Sequence, residues 1–105
     1  MIDISLLPLA NQELSIAIEG ARYVITIKEA NGVMAATIIR DGVMLVQNTR
    51  IVTDGLILQY RDQWFGSGNF MLGTQDEEIP YFDKFGSTQF LVYVTAAEMS
   101  AAGLV

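Results

Sequence analysis

The chain has 105 residues, which suits one domain spanning 1–105, and carries a net charge of −6. It contains neither His nor Cys. That excludes a disulfide framework, thiol chemistry, Ser–His–Asp or Cys–His catalysis and most zinc sites. The acidity argues against nucleic acid as a partner, because phosphate binding needs a basic patch. No apolar run reaches the roughly 20 residues a bilayer span takes, and no basic segment leads the chain, so neither a membrane span nor a signal peptide is expected.

In chain order, Ile2 to Leu7 alternates loosely and reads as a short first strand stopped by Pro8, which lacks the N–H a central ladder needs. From Gln12, Leu14, Ile16 and Ile18 alternate with smaller or polar residues. After a turn at Gly20-Ala21, Tyr23, Ile25 and Ile27 do the same. A period of two gives each strand one apolar and one mixed face. Asn31-Gly32 and Asp41-Gly42 are the dipeptides that type I′ hairpin turns favour, since both central residues need positive φ. Between them, Val33 to Arg40 is apolar on both faces. It therefore reads as a central strand, covered on both sides or meeting a partner with its outer face. The strand from Val43 extends to about Val52, with a bulge or loop at Gln47-Asn48-Thr49.

The second half is less regular. Asp54-Gly55 signals a turn, and Leu56 to Tyr60 is either a short strand or one helical turn. Arg61 to Gly68 holds Trp64, Phe65 and a Gly-Ser-Gly triplet. The triplet lacks the Lys and the helix signal of a phosphate loop and reads as a flexible turn. Asn69 to Leu72 is a short strand closed by Gly73, and Thr74 to Pro80 an acidic loop. Tyr81 to Phe85 is aromatic, and Thr88 to Thr95 is the last strand. Thr95 and Glu98 have capping-box spacing for a short helix from about Ala96 to Ala102, or else a frayed tail. The sum is an all-β fold of seven to eight short strands in an antiparallel sandwich or barrel, a choice the pattern leaves open.

The chain is acidic mainly in its second half: −1 up to Thr53 and −5 beyond it. Carboxylates alone can hydrolyse glycosides, and Asp76, Glu77, Glu78 and Asp83 are the candidates. They lie in or beside turns, where charge is normally solvated, and lack the ligand spacing of an EF-hand. No catalytic residue, metal or cofactor is therefore expected. Tyr60, Trp64, Phe65, Tyr81 and Phe82 form the main aromatic collection, read as core, as protein interface, or as a carbohydrate platform built on Trp64, Phe65 and Tyr81. The chain is 51% hydrophobic, with a mean hydropathy of +0.36. For so small a domain, that favours apolar surface buried against other subunits. The residues expected at such an interface are Val33, Met34, Ile38, Trp64, Phe65, Tyr81 and Phe82.

Three segments in order carry a family resemblance: "LPLANQELSIAIEGARYVITI", "DGVMLVQNTRIVTDGLILQY" and "YFDKFGSTQFLVYVTAAE". Pro8, Asn11-Gln12, Gly20 and the Tyr-led strand resemble the opening of the small baseplate plug proteins of contractile-tailed phages, of the kind found in a simplified cyanophage baseplate. The later segments are similar to that family's middle block and closing strand. The resemblance runs from about Leu6 to Glu98, and the central stretch with Trp64 and the acidic triplet departs from it. It implies a non-enzymatic virion or prophage protein in the tail baseplate, made in the host cytoplasm. Its implied partners are hub, spike or tube-initiator proteins, with homo-oligomerisation in the assembly. The alternative function is a small carbohydrate- or ligand-binding module.

Overall fold

A computed structural model describes residues 1–53, 55–58, 68–75 and 79–101. Among these, seven strands form two antiparallel sheets. The strands are β1 (Ile2–Ile4), β2 (Gln12–Ile18), β3 (Ala21–Ala30), β4 (Val33–Arg40), β5 (Val43–Arg50), β6 (Asn69–Thr74) and β7 (Gln89–Val94). A 3-10 turn covers Phe82–Lys84, and a helix, α1, covers Ala96–Ala101. One sheet is the meander β2-β3-β4-β5 and the other has the order β1-β7-β6, so the architecture is a two-sheet sandwich.

The meander follows from three two-residue turns. Asn31 and Gly32 have φ of 52° and 81°, and Asp41 and Gly42 have 49° and 83°, the left-handed pairs that a type I′ turn demands. The third turn lies at Glu19 (φ 51°) and Gly20 (φ 79°), one residue earlier than the expected Gly20-Ala21. Glutamate has no preference for that conformation, so the sequence carries no signal for it. The Glu29 carboxylate accepts from the Gly32 N–H at 2.8 Å, and Asp41 Oδ1 accepts from the Arg22 N–H at 2.9 Å, which closes two of the corners.

Alternation places Tyr23, Ile25 and Ile27 of β3 and Met34, Ala36 and Ile38 of β4 on the inner face. They pack against Phe70, Leu72, Leu91 and Tyr93 of the other sheet in one buried cluster. At its centre, Tyr23, Phe70 and Tyr93 form a triad with ring centroids 5.1 to 5.8 Å apart. Aromatic pairs in such tilted and edge-on arrangements contribute about 0.5–1.5 kcal/mol each beyond their burial.

Several boundaries differ from the sequence reading. β1 stops at Ile4, and the Leu7-Pro8-Leu9 corner beyond it is held by Gln12. The Gln12 Nε2 donates to the Leu7 carbonyl (2.7 Å) and the Leu9 carbonyl (3.3 Å), and its Oε1 accepts from the Leu7 N–H (3.2 Å). β5 bulges where expected. Its register against β4 shifts between Ala36 and Ile39, and Asn48, at φ 51°, donates its N–H to Thr37 Oγ1 at 3.0 Å. Gly73 does not close β6 but lies within it, paired with Phe90. Leu56 makes a single bridge to Met71, and the Ile57 N–H donates to the Phe70 carbonyl at 2.8 Å. Residues 59 and 60 of that segment lie outside the described residues. The aromatic stretch expected over Tyr81–Phe85 forms the 3-10 turn.

Two fully buried amides hold the irregular connections. Asn69 accepts from the Leu58 N–H (2.9 Å) and donates to the Leu58 carbonyl (2.7 Å). Gln89 accepts from the Tyr81 N–H and donates to the Ile79 carbonyl, both at 2.9 Å. Each contact satisfies loop backbone that burial would otherwise leave without a partner. Gly68 permits a further close approach. A Cβ there would collide with the Val94 carbonyl oxygen and the Tyr93 ring, while the Gly68 N–H donates to the Tyr93 hydroxyl at 3.0 Å.

The capping box at α1 forms as expected. The Glu98 N–H donates to Thr95 Oγ1 (3.2 Å), and the Thr95 N–H donates to Glu98 Oε1 (3.0 Å). The Met1 α-amino group adds a contact of 2.5 Å to Glu98 Oε2. That hydrogen bond first, and then the one from Thr95, lower the Glu98 carboxyl from 4.5 to about 2.

Two outcomes are expected. Replacing Gly68 with Ala destabilises the fold by about 2 kcal/mol or more in urea unfolding, because the obstructing atoms include backbone. The Glu98 carboxyl titrates lower in the folded state than in the unfolded one. Its contribution is thus present above pH 4.5 and lost as pH falls towards about 2. Thermal unfolding of Glu98→Gln should lack the part of the acid-dependent decline that wild type shows in that window.

Candidate interaction surfaces

The residues expected at an interface fall into three groups. Met34 and Ile38 are 1% and 0% exposed and face inward from β4, so they build the core and present nothing to a partner. The pattern that suggested them is real, but period two cannot say which of two apolar faces turns inward. Val33 lies on the opposite face of β4 and is half-buried. Tyr81 and Phe82 are half-buried, meet with ring centroids 4.6 Å apart and planes tilted by 40°, and pack against the core cluster. Trp64 and Phe65 lie outside the described residues, as do Tyr60, Asp76, Glu77 and Glu78. Asp83 is exposed on the 3-10 turn.

The outer face of the four-stranded sheet carries Val33, Ala35, Thr37 and Ile39 of β4, all half-buried. Register aligns Val24, Ile39 and Met44 in one row across three strands, and Lys28, Ala35 and Arg50 in another. Near Val33, Ala35, Lys28 and Arg50 the face opens into a hollow of about 490 Å³. By register this face also holds Arg22 and Glu13, and Glu29 joins Lys28 and Arg50 around the hollow, so both charges are present on it. Val24, Ala35 and Ile39 make the middle of this face apolar, with residues of both charges around it.

The outer face of the three-stranded sheet is more openly apolar. Met71, Val92 and Phe90 lie on it, and Phe90 is 42% exposed. Gly73, directly opposite Phe90, contributes no side chain, and a second hollow of about 490 Å³ opens among Met1, Met71, Gly73, Phe90 and Val92. The sequence reading missed this face. Its signal was the alternation of Phe90 and Val92 with Leu91 and Tyr93, of which Leu91 and Tyr93 turn inward.

The Tyr93 hydroxyl donates to Glu19 Oε2 at 2.7 Å, and the Ala96 N–H donates to the same oxygen at 3.3 Å. Burial, and then the bond to Glu19, push the Tyr93 phenol well above its ordinary value, so it stays neutral and donates. Among the described residues no group of three or more acidic, His or Cys side chains converges as a metal site, and no helix is long and apolar enough to cross a membrane.

No curated protein matches the chain. A family model described as cyanophage baseplate Pam3 plug gp18 matches residues 1–97, a span that includes the seven described strands and the first two residues of α1. A small all-β body with apolar outward faces suits a component packed among other proteins, and on the extent of that match the chain belongs to the cyanophage baseplate plug family.

Proposed function

We propose that the protein is a non-enzymatic plug and assembly component at the centre of a contractile-tail baseplate, contacting hub, spike or tube proteins through its outward sheet faces. The family points to the virion tail and to a structural, non-catalytic role. The observation that carries the proposed contacts is the exposed apolar surface around Phe90, Met71 and Val92. An exposed aromatic beside a hollow is the kind of anchor that dominates interface energetics, while a charged rim sets orientation. The four-stranded face, with Val33 and Ile39 among residues of both charges, offers a second surface.

Co-expression with the tail proteins encoded beside this gene tests the reading. Wild type is expected to co-purify with at least one hub, spike or tube protein. Phe90→Asp should lose that capture by about 2 kcal/mol or more while unfolding within about 0.5 kcal/mol of wild type. A protein that ignores every neighbouring tail protein, or flanking genes that encode only metabolic or secretion functions, would overturn it.

A further inference from the structure

The two edges of the four-stranded sheet are built differently. The β5 edge is interrupted by register shifts and by Asn48 at positive φ, devices that discourage strand addition. The β2 edge has none. It runs seven residues without proline, lysine or bulge, in unbroken register from Gln12↔Ile27 to Ile18↔Ala21. A two-residue turn makes Ile18 and Ala21 a hydrogen-bonded pair. Residues 12, 14, 16 and 18 therefore direct their backbone groups to β3, and Glu13, Ser15 and Ala17 aim theirs outward. No described residue bonds those outward groups.

We infer that this edge pairs with β2 of a second copy, antiparallel about a two-fold axis at Ser15, joining two four-stranded sheets into one of eight. The full seven-residue overlap puts Ser15 opposite Ser15 and Glu13 opposite Ala17 of the second copy. In that register the outward-aimed groups of the two strands meet each other. Leu14 then faces Ile16 of the second copy. Both are half-buried at the open side of the core, and pairing covers them.

The charges also complement each other. Arg22 sits directly across from Ala17 on β3, and its Nη1 already reaches over β2 to donate to Ser15 Oγ at 3.0 Å. Glu13 of the second copy would approach the other side of the same small alanine. Two strand spacings, about 9.5 Å between backbones, separate it from Arg22, a gap two long side chains can close. Symmetry makes two such pairs, so the association is expected to weaken with salt. The inference concerns the chain by itself and does not rest on the baseplate reading.

Sedimentation equilibrium over a concentration series tests it, with folding of each variant checked by circular dichroism. Wild type is expected to pass from 11.6 kDa to twice that mass. Ser15→Pro removes an outward N–H without touching the β3 ladder and should stay monomeric. Glu13→Arg should weaken the dimer about tenfold or more, and adding Arg22→Glu should restore it to within about threefold, which a misfolded variant could not do. A wild type that stays monomeric at every concentration, a dimer indifferent to Ser15→Pro, or a charge swap that fails to rescue would overturn the inference.

Discussion

Tyr93 is where the two sheets of this protein are joined. Its ring packs against both Phe70 of its own sheet and Tyr23 of the other, which also touch each other. Its hydroxyl donates to Glu19 in the first turn of the meander and accepts from Gly68 at the entry to β6. Two sheets in face-to-face packing can slide, because apolar contact is not directional. A buried hydroxyl with two partners is directional. The remaining geometry follows from it: Glu19 accepts a left-handed backbone, and Gly68 must lack a side chain where the strand passes beneath the ring.

The same logic recurs at the loops. A chain of this size has little interior, so irregular segments cannot be held by burial alone. Asn69, Gln89 and Gln12 each use a side-chain amide to replace the ladder partners their neighbouring backbone lacks. With the interior organised in this way, Phe90, Met71, Val92, Val33 and Ile39 are left for the outer faces, the surfaces proposed above for contact with other baseplate proteins.

What the sequence made readable was local. Asn31-Gly32, Asp41-Gly42 and the Thr95–Glu98 box have backbone requirements that few residues meet, and all three lie where the residues indicated. The long-range features were not readable. In β4 both faces are apolar, and only the position of the opposite sheet decides that Met34 and Ile38 turn inward while Val33 does not. Glu19 carries no local sign of its role, because the hydroxyl it binds is 74 residues away. Gly73 looked like a stop, but it sits within β6 and opens the hollow beside Phe90.

The claim that the sheets are locked at one hydroxyl is open to a direct measurement: the urea midpoint of Tyr93→Phe, which keeps the ring and removes only the oxygen. With the Glu19 carboxylate and the Gly68 N–H each losing a buried partner, the variant should be less stable by about 1–3 kcal/mol. A midpoint equal to that of wild type would mean that packing alone holds the two sheets together.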